Sequence, residues 1–217
     1  MHEHLAQQVA KHAASVFKKP VTDYSRSAFE ESIAAWTADG RKPLILDSGC
    51  GVGLSTLHLA QRYPDHFVIG IDQSADRLAR NVRWPGPPPS NCLNMRADLV
   101  DYWRLLLDAG IGPARHYLLY PNPWPKKQHL GRRWHGHPVF PTVVALGGMF
   151  ECRSNWRIYI EECAAALTQL TGMPVPVEAH EARQPITPFE EKYLASSHSL
   201  WRCRAALPSF NPQQQQP

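Results

Sequence analysis

Residues 120–133 read Tyr-Pro-Asn-Pro-Trp-Pro-Lys-Lys-Gln-His-Leu-Gly-Arg-Arg, a proline-locked turn with one amide and one indole that runs into a basic stretch. The turn follows His116-Tyr117-Leu118-Leu119, an apolar run that reads as a short buried strand. Proline fixes φ at alternate positions. Asn122 and Trp124 are therefore held just beyond a strand's carboxyl end, where open α/β sheets carry their chemistry. Asn122 can accept one hydrogen bond and donate another. Trp124 can stack on a base, and it equally fits a core-facing packing position. Lys126, Lys127, Arg132 and Arg133 suit a phosphate-bearing partner, although such a run taken alone also fits a solvated surface. His129, His135 and His137 have no Cys or carboxylate at ligand spacing beside them, so no metal is expected.

The second chemical segment is Leu46-Asp47-Ser48-Gly49-Cys50-Gly51-Val52-Gly53, which leaves one expected strand and enters a helix. Glycine at alternate positions removes β-carbons that would hold a ligand off the backbone, and the helix start offers unpaired amides. The spacing differs from the Gly-x-Gly-x-x-Gly of pyrophosphate-cradling dinucleotide sites. Nicotinamide binding or a structural turn are its other readings. Asp72, at the end of the next strand, stands where a carboxylate can take both hydroxyls of a ribose.

Together these features resemble the first motif of class I S-adenosylmethionine-dependent methyltransferases. The resemblance implies S-adenosylmethionine as cofactor, with Asp47, Gly49, Gly51 and Gly53 near its methionine portion. It puts Asp72, with Gln73 beside it, on the ribose, and Asp98 near the adenine amino group. Within that superfamily, Pro121-Asn122-Pro123-Trp124-Pro125-Lys126-Lys127 with Arg132-Arg133 is similar to the signature of the bacterial tRNA (guanine-N7)-methyltransferase family. Thr187-Pro188-Phe189-Glu190 resembles its Thr-x-Phe-Glu substrate motif, and Gly147-Gly148-Met149-Phe150 with Ser154-Asn155-Trp156 and Tyr159 fits the segment between, so the likeness spans residues 41–207. It implies a tRNA partner, a catalytic and cofactor-adjacent Asn122, and a substrate surface of Trp124, Lys126, Lys127, Arg132, Arg133, Asn155, Thr187 and Glu190. Asn122 and Asn155 stand where that family has acids, and an Asn-Pro-aromatic turn also resembles the motif of amino-group methyltransferases. Another nitrogen nucleophile on a small molecule, or a tRNA-binding paralogue with weakened catalysis, are the alternatives.

The elements that must position these groups follow from periodicity. At 217 residues, 43% hydrophobic and 19% charged, the chain has the size of one α/β domain. Its net charge of +4 is mild, so nucleic-acid affinity would come from local clustering of cations. The five cysteines are odd in number and widely spaced, which supports neither a disulfide framework nor a zinc site. The sequence shows no signal-peptide pattern at Met1-His2-Glu3-His4 and no apolar run near the roughly 18 residues of a membrane span. A cytoplasmic protein, monomeric or weakly dimeric, is expected.

Strands are expected at 44–46, 67–71, 92–95, 115–119, 148–152, 175–177 and 201–206. Helices are expected at 54–63, 74–82 with a Ser74 cap, 100–107, 139–146 and 156–170. Repeated strand-helix units imply a mostly parallel seven-stranded sheet with helices on both faces, the Rossmann-like class I methyltransferase fold that the resemblance also implies. Residues 1–24 carry a weak helical pattern and read as an arm or docking helix, 25–208 as the methyltransferase domain, 178–199 as a functional loop, and 209–217 as a disordered tail.

Overall fold

A computed structural model of the chain describes residues 1–80 and 82–208; the tail expected to be disordered lies outside the described residues, as does position 81 within the expected 74–82 helix. The strands are β1 (Leu44–Ser48), β2 (Phe67–Asp72), β3 (Cys92–Arg96), β4 (Arg115–Leu119), β5 (Gly148–Ser154), β6 (Val177–Ala179) and β7 (Trp201–Leu207). They form one sheet in the order β3-β2-β1-β4-β5-β7-β6. β1 pairs in parallel with β2 and β4, β2 with β3, and β4 with β5, whereas β7 is antiparallel to both β5 and β6. The order reverses between β1 and β4. The crevice above their carboxyl ends is the topological switch point where such sheets bind ligands.

Residue alternation along the strands builds two cores. Leu44 and Leu46 enter one with Phe67, Ile69 and Ile71, while Ile45 and Val68 enter the other with Tyr117 and Leu119. The first face is covered by α1 (Leu5–Ala13), α2 (Asp23–Ala38), α5 (Leu99–Asp108), α6 (Phe140–Ala145) and α7 (Arg157–Thr171). The second is covered by α3 (Leu54–Arg62), and two short helices, α4 (Ala75–Leu78) and α8 (Pro188–Ala195), complete the set. Among the described residues no helix is long and apolar enough to cross a membrane.

The differences from expectation have local causes. α4 keeps its Ser74 cap, which accepts from the Arg77 amide, yet it ends at Leu78 because none of its residues is buried and no packing supports further turns. β6 begins at Val177 instead of Val175, since Pro174 and Pro176 cannot donate to a ladder. α2 lies outside the expected helices: its fully buried positions are the small residues Ser25, Ala28 and Ser32, and Phe29, Ile33 and Trp36 pack beside them as a partly buried stripe. Hydroxyls add to that packing: Ser32 Oγ lies 2.7 Å from the Tyr102 hydroxyl, and Asp101 accepts from the amide and hydroxyl of Thr22. The boundary expected at 24/25 falls inside α2.

α1 is docked. Leu5 and Val9 are buried, and Gln169 donates to the Ala6 carbonyl. Leu5→Ala is expected to lower the unfolding free energy by roughly 2 to 4 kcal/mol, the range for truncating a core leucine, as read by urea denaturation. A change within about 0.5 kcal/mol, typical of surface sites, would mark α1 as a detachable arm.

Candidate active site

β1 delivers Asp47 to the switch point. Its Oδ2 accepts from the hydroxyls of Ser55 at 2.6 Å and Thr56 at 2.8 Å on the first turn of α3, while Oδ1 is buried without a partner. Burial pushes this carboxyl up to about 6 against the pull of those hydroxyls. A lone buried carboxylate oxygen is matched by a cationic donor such as an ammonium. Gly49 and Gly51 hold left-handed φ of 78° and 63°; a β-carbon on Gly51 would meet nothing, and one on Gly49 only Leu99 at 3.9 Å. A ligand can therefore lie on this backbone. Gly53 serves a different purpose, because a β-carbon there would sit 2.3 Å from Asn94 Nδ2; its bareness packs α3 against β3 instead of admitting a ligand.

Asp72 closes the loop from β2. Its carboxylate accepts from the amides of Gly51 at 3.0 Å and Ser74 at 2.8 Å and pairs with Arg77 at 3.2 Å. A carboxylate has about four acceptor sites. One is left for a ribose hydroxyl, and a second opens when the half-exposed Arg77 turns aside. The Gln73 side chain is exposed beside it. Asp98 caps α5, accepting from the Val100 amide at 2.9 Å, and its second oxygen pairs with Lys19 at 2.7 Å. The carboxylate expected to meet an adenine amino group is thus shared with a lysine of the N-terminal segment.

The segment after β4 is strained and clamped. Tyr120 and Trp124 have φ of 51° and 43°, a region that costs a bulky side chain about 1–3 kcal/mol. Donors and acceptors on every side hold it there. The Tyr120 amide donates to the Arg153 carbonyl at 2.9 Å and its hydroxyl to Glu190 at 3.0 Å. Asn122 Oδ1 accepts from the Trp124 amide at 3.2 Å, closing a side-chain turn. Asn122 is exposed at the tip, and Asn155, half-buried, leaves the adjacent strand β5 two residues past Arg153, which pairs with Leu119.

The basic run divides. Lys126, Lys127 and Arg132 are exposed, with the Arg132 guanidinium 4.7 Å over the half-buried Trp124 ring. Arg133 corrects the sequence reading: it is 7% exposed, donates to Trp124 and Pro125 carbonyls, and pairs with buried Glu162 on α7. Its charge is used inside the protein and is not offered to a phosphate. Glu162 also takes the His135 ring at 3.0 Å and the His2 amide at 2.7 Å. Burial raises the Glu162 carboxyl, but the bonds from His135 and Arg133 outweigh it and bring it down to about 2. A cavity of about 310 Å³ lies behind the loop, walled by Pro123, Pro125, Trp156, Glu162 and the N-terminal Met1 and His2. Sequence reasoning missed Glu162 because its partners come from two segments far from it in the chain, residues 133–135 and the N-terminus.

Thr187 and Glu190 are also interior. Thr187 caps α8 by accepting from the Glu190 amide at 3.0 Å, and Glu190 reaches back to the Ile186 amide at 2.8 Å. Glu190, fully buried, meets Arg153 at 2.8 Å, and Arg153 also grips Glu151 at 2.7 Å. Burial raises the Glu190 carboxyl, while His180, Arg153 and the Ile186 amide together hold it down at about 2. Thr187 and Glu190 position the Tyr120 loop from behind and do not themselves face solvent, which corrects the expectation of direct substrate contact from these two side chains.

A family model described as "Putative methyltransferase" matches residues 41–203. A tRNA (guanine-N(7)-)-methyltransferase of Syntrophotalea carbinolica is 28% identical over 193 residues, covering 79% of this chain and 79% of that protein. Proteins of the same description from Nitrosococcus oceani and Saccharophagus degradans are 29% and 28% identical, covering 74% and 86% of this chain and 70% and 86% of their own. Among solved structures, an antibiotic-related methyltransferase superposes with a TM-score of 0.58 at 18% identity, covering 90% of this chain and 98% of its own. The 16S rRNA methyltransferase KamB gives 0.55 at 18% identity, covering 89% and 99%. At that identity the structures speak to the fold alone.

The Glu162 hub makes an acid-sensitive prediction. Glu162→Gln should destabilise the protein at neutral pH by roughly 3 to 5 kcal/mol, as for one side of a broken buried pair. The native carboxyl is held at about 2 against an ordinary 4.5, so its contribution is present above 4.5 and fades as pH falls toward 2. The gap between native and variant in urea unfolding should therefore narrow on acidification below 4.5. A gap independent of pH would assign it to packing instead.

Proposed function

The chain belongs to the methyltransferase family whose model spans residues 41–203, and from that premise we propose that it moves a methyl group from S-adenosylmethionine to N7 of a guanine in tRNA. The observation that carries this reading is the clamped loop at the switch point, with Asn122 at its tip and Lys126, Lys127 and Arg132 on its outer side. The relatives described as tRNA (guanine-N(7)-)-methyltransferases support the choice of substrate.

The cofactor supplies an electrophilic methyl on a sulfonium. The Asp47 Oδ1 with no partner suits its ammonium, and the open backbone at Gly49 and Gly51 suits its methionine portion. Asp72 offers its remaining acceptor to the ribose with Gln73 beside it, and Asp98 lies toward the adenine end. Guanine N7 carries an in-plane lone pair and no proton. The N7–C bond forms as the S–C bond breaks, that pair stays on sulfur, and the positive charge passes to the purine. No general base is required, so the residues must orient the base with N7 about 3 Å from the methyl and in line with sulfur. Asn122 keeps its amide group and a second acceptor site for the guanine edge, beside the Trp124 ring. Lys126, Lys127 and Arg132 face the phosphates.

A second reading, methylation of a different nitrogen, is favoured by one observation: amides at both 122 and 155. Single-turnover transfer of tritiated methyl to unmodified tRNA, with nucleoside analysis, separates the two. The native protein should form N7-methylguanosine. Asn122→Asp keeps the side-chain turn and should preserve the rate or raise it, whereas Asn122→Ala loses turn and substrate contact and should slow it roughly tenfold to a hundredfold. No N7-methylguanosine from either the native protein or Asn122→Asp would end the tRNA reading.

Cofactor binding should depend on pH through Asp47. Its carboxyl sits at about 6 in the free protein, and a bound ammonium would favour the ionised form. Affinity for the demethylated product, which retains the ammonium, should rise as pH increases through about 6 and level off above it, with a proton released on binding below the plateau. Calorimetry in buffers of different ionisation enthalpy measures both. Asp47→Asn should bind more weakly and without that pH dependence; a native profile flat across this range would remove Asp47 from the ammonium site.

A further inference from the structure

α8 and the turn after it carry a column of aromatic rings. Phe189 and Tyr193, one helical turn apart, stack at 6.2 Å with planes 23° apart, and Tyr193 and His198 stack at 5.4 Å and 22°. Tyr120 backs the column, its ring 6.2 Å from Phe189 and 5.8 Å from Tyr193. Interior aromatic pairs of this protein meet edge to face, as at Trp103–Trp134 with 73° and His116–Phe150 with 88°. The near-parallel column is of another kind, and its ends are open: Phe189 is 51% exposed and His198 is exposed as well.

The column is rigid where it meets the site. Thr187 caps the helix under Phe189, and Glu190, next in sequence, is fully buried on Arg153 and the Tyr120 hydroxyl. Thr187 and Glu190 thus anchor the helix on either side of Phe189, whose ring stays half exposed. Exposed Glu191, Lys192 and Leu194 lie on the same helix as the rings. Tyr120 lies two residues before Asn122, which puts the platform beside the loop assigned to methyl transfer.

We propose that Phe189, Tyr193 and His198 form a stacking platform for an unpaired nucleobase of the RNA strand flanking the target guanosine. This rests on the tRNA reading above. Aromatic rings take any base by its π face, so the platform would hold the strand without choosing its sequence and leave discrimination to the loop at Asn122.

The test is binding of unmodified tRNA over a series of salt concentrations by the native protein and by Phe189→Ala, Phe189→Leu, Phe189→Trp and the triple change of Lys126, Lys127 and Arg132 to Ala. Stacking releases no counterions. Phe189→Ala and Phe189→Leu should both weaken binding by roughly 5- to 100-fold at every salt concentration, leaving the log–log salt slope unchanged, while Phe189→Trp retains native affinity. The triple variant should instead flatten the slope by about two to three units. Unchanged affinity for the demethylated cofactor in the Phe189 variants controls for folding. Native tRNA affinity in Phe189→Ala, or a leucine as good as a tryptophan, overturns the platform while leaving the tRNA reading intact. A native protein with no measurable tRNA affinity overturns both.

Discussion

Arg153 is the constraint on which the site depends. It sits at the end of β5, where the ladder stops, and its buried guanidinium bridges Glu151 on its own strand and Glu190 on α8. Glu190 in turn accepts from the Tyr120 hydroxyl and the Ile186 amide, so one cation ties β5, α8 and the loop after β4 into a single body. Removing either side of such a pair leaves an uncompensated charge in the interior, a penalty of about 3–5 kcal/mol. Arg133 and Glu162 repeat the arrangement on the other side of the same loop, through carbonyls of Trp124 and Pro125. Two residues in left-handed conformations lie between these clamps. The loop holds a strained shape because two buried ion pairs determine it from opposite ends.

Periodicity alone located the strands that carry the chemistry. β4 has the bounds expected, and β1, β2 and β3 each begin where expected and run one or two residues further. Short apolar runs between turn signals can be read this way because a parallel sheet buries both faces. α2 escapes that reading although Phe29, Ile33 and Trp36 recur at helical spacing against the core, because serines share its buried face and break up the apolar run. In sequence Thr187-x-x-Glu190 reads as a substrate motif within a loop at 178–199, where the structure has the helix α8. The geometry makes the motif a cap whose glutamate also anchors Arg153. The signal that could have found α8 is Thr187 followed three residues later by Glu190, the pattern of a capped helix start, with Pro188 at the first helical position.

Arg133 shows where a linear reading runs out. Four cations in eight residues look alike in sequence, and only their side-chain directions separate three that face solvent from one that reaches Glu162 on α7. Nothing local marks the difference, because the carboxylate that draws Arg133 inward lies 29 positions away. The same holds for Gly53, whose neighbour across space, Asn94, belongs to β3.

The placement of ionisable groups fits the chemistry assigned to the site. Glu162, Glu190 and Arg153 are buried among partners that keep them charged, and their task is to fix backbone. Buried His116, pushed down to about 3, bonds to Ser48 and stays neutral in the core. Among the described residues Asp47 alone combines a raised carboxyl with an oxygen free of partners, and it lies at the head of the glycine loop. At the loop tip stands an amide that cannot titrate. General-base catalysis at the nucleophile would draw on a group poised near neutral pH, a role that an amide cannot fill. Methyl transfer to an unprotonated ring nitrogen needs a fixed distance and angle instead. A tip made of an amide between prolines, braced by buried ion pairs, supplies geometry and leaves proton affinity out of the nucleophile's surroundings.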